Sequence, residues 1–121
     1  MKKTSLSILM FLIFLSNSFD VKGQVKKYVF YLHGRIVEVQ GAKAYSKQFG
    51  NYEYNNILEA LRDKNVIVIS EIRPSDTKVI PYAKKIRSQI DSLLNKGISS
   101  NNITVIGASK GSMIAMQVSS L

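Results

Sequence analysis

"NITVIGASKGSMIAMQ", residues 102–117, decides how this chain folds. Its first half, Ile103 to Gly107, is apolar and β-branched without alternation, as in a strand covered on both faces. Its second half begins an apolar helix directly after Gly111. Between them Gly107 and Gly111 bracket Ser109. The stretch therefore reads as a strand, a sharp turn and a helix, the βα unit of a parallel sheet.

Two more runs of the same kind lie upstream, "YVFYL" at 28–32 and "VIVIS" at 66–70. Helical patterns separate the runs. "YNNILEALRDKN" (54–65) places Ile57, Leu58 and Leu61 on one face. "PYAKKIRSQIDSLLNKG" (81–97) opens with Pro81 as a first-turn residue and closes on Gly97 as a left-handed stop. The order β-loop-α-β-α-β-α predicts a three-layer α/β fold with a parallel sheet of about three strands and right-handed crossovers. Residues 33–53 form a long irregular connection after the first strand. Connections of that length are uncommon unless they carry function. In open parallel sheets, ligands bind beyond the C-terminal ends of the strands, where this loop and the Ser109 turn both lie.

Composition bounds the possibilities. The chain has 121 residues, enough for one domain. Residues 1–23 have the basic start, short apolar run "LSILMFLIFL" and polar tail of a secretory signal peptide, with Gln24 as the expected new N-terminus, a cut near Ser18 as the alternative and an uncleaved membrane anchor as the other reading. With the expected cut, contact with a membrane is transient and the mature domain, 24–121, is exported, to the periplasm or outside. There is no Cys, which excludes disulfides, a lipidated cysteine and cysteine metal sites. No cluster with metal-ligand spacing occurs, and no cofactor is expected. The formal charge is +9, and removing residues 1–23 leaves +7. The basic residues are scattered, with no run interleaved with aromatics, so nucleic acid is not an expected partner.

Gly107-Ala108-Ser109-Lys110-Gly111 matches G-x-S-x-G, and a buried strand leading straight into a helix is the context that a nucleophile elbow requires. The glycines avoid clashes where the chain crowds. The serine hydroxyl projects above the sheet, and the helix N-terminus turns free N–H groups toward a developing oxyanion. "YLHGR" supplies the second half. Gly34 lets the loop pass close to a substrate, and the N–H of Arg35, or of Ile36 one register on, is the candidate donor. His33 is the only histidine. Its ring is expected to order the loop rather than act as base. Arg35 and Glu38 are spaced for a loop-stabilising ion pair. Glu71 and Arg73 are expected to be solvated or paired with neighbours. Tyr45, Phe49, Tyr52 and Tyr54 are expected to pack the loop onto the domain, with a substrate wall as the other reading.

"YVFYLHGR" followed by two βα units and "VIGASKG" resembles the first half of an α/β-hydrolase core. More narrowly, "YLHGRIVEVQG" with "GASKG" is similar to small bacterial α/β-hydrolase-type proteins that carry an HGR-[IV]-[IV]-E signature. The likeness covers roughly residues 27–121. It implies an incomplete α/β-hydrolase core in which 28–32 lies between 66–70 and 103–107. It further implies Ser109 as nucleophile, the Lys110 N–H as first oxyanion donor, the loop after His33-Gly34 as the second, and a small acyl or ester substrate. The family's order is Ser, then acid, then His. "GSMIAMQVSSL" holds no Asp, Glu or His, so the sequence is expected to be the N-terminal part of a longer protein, with little activity alone.

Two other readings share these residues. "GASKG" also resembles the short-chain dehydrogenase loop G-x-x-x-G-x-G, which would bind NAD(P), but Met113 stands where its third glycine belongs. A P-loop is excluded because Lys110 precedes Gly111. A non-catalytic exported binding domain is the remaining class. Nothing in the sequence fixes an oligomeric state.

Overall fold

The computed structural model describes residues 25–121; the signal-peptide reading therefore falls outside the described residues. Strand β1 (Lys27–Leu32) leads into a short helix α1 (Arg35–Gln40), then a small hairpin of β2 (Tyr45–Ser46) and β3 (Gly50–Asn51). Helix α2 (Tyr54–Leu61), strand β4 (Val66–Ile69), helix α3 (Val79–Asn95), strand β5 (Ile103–Gly107) and helix α4 (Lys110–Ser120) follow. The connection 33–53, expected to be irregular, thus carries a helix and a hairpin. The 2-residue strands and the 6-residue helix are too short to give a periodic signal.

The three apolar runs form one parallel sheet in the order β4-β1-β5, with Phe30 opposite Ile69 on one side and Val105 on the other. This is the expected order and an α/β architecture. Central β1 alternates between two cores. Phe30 and Leu32 pack on one face with Tyr82, Ala83 and Ile86 of α3 and with Ile114 and Val118 of α4. Tyr31 packs on the other with Val37, Ala44 and Tyr54. Full burial of Phe30, Ile86 and Ile114 stabilises the fold by about 1.5–3 kcal/mol each.

The outer strands depart from the expectation of cover on both faces. Ile67 and Ile106 are each 37% exposed. Thr104 and Ile106 lie in register with Val29 and Tyr31, and the α1 and α2 layer, centred on Tyr31, leaves them exposed.

Helix α3 starts two residues before the expected Pro81, at Val79. Pro81 is tolerated there because first-turn N–H groups have no intrahelical partner. The expected stop holds: Gly97 has φ 90°, its N–H bonds the Leu94 carbonyl at 3.0 Å, and Ile98 N–H bonds the Leu93 carbonyl at 3.1 Å. Helix α2 ends four residues short of the predicted Asn65, at Leu61. The chain must turn there, and Lys27 N–H bonds the Asn65 carbonyl where β1 and β4 begin to pair.

Candidate functional site

The C-terminal ends of β1 and β5 are neighbours, so the turns after them meet. After β5 the ladder runs one bond further, with Ala108 N–H donating to the Leu32 carbonyl at 3.0 Å. Ser109 then takes φ 52° and ψ −119°, a conformation that L-residues rarely adopt, and α4 starts at the next residue. Such a backbone costs of order 1–3 kcal/mol and persists only where its surroundings over-determine it. The surroundings here are the two glycines. A Cβ on Gly107 would overlap the backbone carbonyl of Gly111, and a Cβ on Gly111 would overlap the carbonyl of Leu32. Helix α4 can leave the sheet this closely only because both side chains are absent. Ser109 is exposed at the tip.

The loop after β1 comes up beside it. A Cβ added to Gly34 would stand 3.4 Å from the Ser109 Cβ. Gly34 precedes α1, whose first N–H belongs to Arg35. The N–H groups of Arg35 and Lys110 have no hydrogen-bond partner among the described residues. The Gly34 N–H is already committed, donating to the Tyr52 hydroxyl at 2.9 Å, and that hydroxyl also meets the Tyr31 hydroxyl at 2.8 Å. Burial, then the Tyr52 bond, pushes the Tyr31 phenol far above its ordinary range.

His33 is fully buried. Its Nε2 accepts the backbone N–H of Arg73 at 2.9 Å, and its Nδ1 lies 2.8 Å from the Gly34 carbonyl. A backbone N–H can only donate, so Nε2 is unprotonated and Nδ1 carries the proton. Burial lowers the pKa of the ring, which favours this neutral form. Both nitrogens are occupied, and neither is available to Ser109.

The expected Arg35–Glu38 pair is not formed. The buried Glu38 bonds Arg73 Nε through Oε1 at 2.8 Å and Lys110 Nζ through Oε2 at 2.7 Å. Arg73, expected to be solvated or to pair locally, is buried, and its side chain is 0% exposed. Its Nη2 donates to the His33 carbonyl and its guanidinium lies 5.5 Å from the Tyr82 ring centroid, while Nη1 has no partner among the described residues. Ser75 Oγ adds a bond to the Glu38 carbonyl at 3.1 Å. Burial raises the Glu38 pKa, but the bonds from Lys110 and Arg73 outweigh it and hold the carboxyl below its usual value. One carboxylate facing two cations leaves the cluster with a net charge of +1 beside the Ser109 turn.

Glu71 is the member of that pair that does stay local. It bonds Lys85 at 2.6 Å and the Tyr82 hydroxyl at 2.9 Å, and the two bonds hold its pKa down. The four aromatic residues of the connection divide. Tyr54 is buried and Tyr52 half-buried; Tyr45 and Phe49 are exposed at the hairpin, Phe49 by 82%. Tyr54 donates to Ser70 Oγ at 2.8 Å, since Ser70 uses its own proton on the Tyr31 carbonyl at 2.7 Å. These two tyrosines pack the connection onto the sheet. A hollow of about 370 Å³ between the hairpin and the start of α2 is lined by Lys43, Asn51, Glu53 and Asn55 among others, and Ser109 is not part of its wall.

The structure thus brings Ser109, Lys110, Gly107, Gly111, His33, Gly34 and Arg35 to one point at the sheet's C-terminal edge. Sequence reasoning missed Arg73, Glu38 in its actual pairing, and Tyr52 as the acceptor for Gly34. An arginine just past a strand looks the same whether it turns inward or outward, and no local signal separates the two. No group of three or more His, Asp or Glu able to hold a metal occurs among the described residues. Compared with family models, curated proteins and solved structures, the chain matches none.

Proposed function

We propose that this chain carries the nucleophile half of a serine hydrolase acting on small acyl esters. The observation that carries the reading is Ser109 at φ 52° and ψ −119°, exposed beside the Gly34 loop, with the Lys110 and Arg35 N–H groups both without a partner among the described residues. In this reading Ser109 Oγ attacks the ester carbonyl carbon while its proton passes to a base. The carbonyl oxygen becomes an oxyanion and accepts the two N–H groups, aided by the N-terminal end of α4. Collapse breaks the bond to the alkoxy oxygen, which takes the proton and leaves as the alcohol. Water then hydrolyses the acyl-serine by the same route.

His33 cannot be the base, because both ring nitrogens are bonded elsewhere. The sequence holds no second histidine, so the reading assigns no base among the described residues. By itself the chain is expected to turn over ester poorly, since losing a triad member removes most of the rate.

The test is labelling by a fluorophosphonate of the protein expressed from its own gene, with the modified residue mapped by peptide mass. Modification at Ser109, absent in Ser109→Ala, supports the reading. Absence of modification at Ser109 in folded protein overturns it.

A further inference from the structure

We propose that the Lys110 side chain is a positioning residue that ties the two oxyanion donors together through Glu38. The inference rests on the hydrolase reading. The two donors lie on different elements: Lys110 N–H opens α4, and Arg35 N–H opens α1. An oxyanion hole works only when both stand within about 2.7–3.1 Å of the same oxygen. Something must hold α1 at a fixed distance from α4. The ammonium of Lys110 does so by bonding Glu38, three residues along α1 from Arg35. Among the described residues this is the one polar side-chain bond between α1 and α4. The Lys110 donor thus stands at one end of the bridge, and the Arg35 donor lies three residues along α1 from its other end, Glu38.

The cluster does not need Lys110 for its own charge balance. Glu38 and Arg73 already form a neutral buried pair. A lysine on the first turn of a helix could keep its ammonium in water, yet the Lys110 side chain is only 17% exposed. Desolvating a second cation is costly, and the geometry repays it with a fixed loop. The far side of Glu38 is anchored in turn. Arg73 bonds both Glu38 and the His33 carbonyl, and Ser75 bonds the Glu38 carbonyl. The loop after β1 is therefore clamped by the loop after β4 below and by Lys110 above.

The readout is the rate at which a fluorophosphonate modifies Ser109 in the protein expressed from its own gene. Ser109 Oγ displaces fluoride from phosphorus, HF leaves, and the phosphoryl oxygen sits between the two donors. Lys110→Met keeps the backbone donor and leaves the Glu38–Arg73 pair intact, so the fold is retained. It should slow labelling by at least about tenfold, because misplacement near 1 Å costs up to a hundredfold. Lys110→Arg, which can still bond Glu38, should restore most of the rate. Glu38→Gln combined with Arg73→Met keeps the Lys110 cation but removes its ionic tether, and labelling should again be slow.

Wild-type rate in folded Lys110→Met overturns the inference and leaves the hydrolase reading standing. So does a wild-type rate in the double variant, which would mean that the charge of Lys110, not its tether, matters. No labelling of the wild-type protein at Ser109 overturns both.

Discussion

His33 Nε2 accepts the backbone N–H of Arg73 at 2.9 Å, joining the loop after β1 to the loop after β4. The bond exists only while the ring is neutral, and burial keeps the folded pKa below the ordinary value of 6.5. Protons therefore bind the unfolded chain more readily than the folded one. Stability from this group is complete above about pH 6.5 and falls as pH drops from there toward the folded pKa. Because His33 is the only histidine, the melting temperature should fall as the pH drops below about 6.5. The slope there should be largely absent in His33→Asn. An unchanged slope in that variant would show that other groups cause it.

Glu38 and Arg73 should couple strongly. Glu38→Gln leaves the Arg73 charge buried without its counter-ion and should cost about 3–5 kcal/mol. Combining Glu38→Gln with Arg73→Met should cost less than the sum of the two single changes, since no buried cation is then left without its counter-ion and Lys110 can turn its ammonium to water. Urea unfolding of the three variants checks this; additive costs would rule the coupling out.

The strain at Ser109 gives a signature of its own. Glycine enters the region of φ 52° and ψ −119° far more easily than serine. Ser109→Gly should therefore stabilise the fold by about 1 kcal/mol, whereas Ser109→Ala should not. Such an exchange of stability for backbone geometry is what the proposed nucleophile role of Ser109 expects. Equal stability of the Gly and Ala variants in thermal unfolding would argue against strain.

Gly111→Ala should be the most damaging single methyl in the chain. Its Cβ would overlap the Leu32 carbonyl in the ladder between β1 and β5. The clash is with backbone and cannot be relieved by a rotamer change. A cost of at least about 3 kcal/mol is expected, read as loss of a cooperative thermal transition. Gly41→Ala, where nothing lies within 4 Å, provides the contrast, paying only for its φ of 83°.

Tyr52→Phe removes the acceptor of the buried Gly34 N–H. An unpaired buried donor costs about 1–3 kcal/mol. The loss should appear as faster exchange of the Gly34 amide hydrogen, with amides of α3 unaffected.

Much of this was readable from the residues alone. "YVFYL", "VIVIS" and "ITVIG" specified three parallel strands, because apolar β-branched runs between helical patterns have few other homes, but not that the outer two would stay partly exposed. Gly107, Ser109 and Gly111 specified the turn, because spacing and backbone freedom are local properties. The partners of charged and phenolic groups were not readable. Glu38 lies three residues from Arg35 but bonds Arg73 and Lys110, 35 and 72 residues away. Tyr52 reaches back 18 residues to Gly34. A charge on a loop takes whichever opposite charge the sheet brings to the same edge, and strand order, not sequence distance, sets that neighbour. The sequence determined where the serine turns; only the tertiary structure decided what holds the two loops around it.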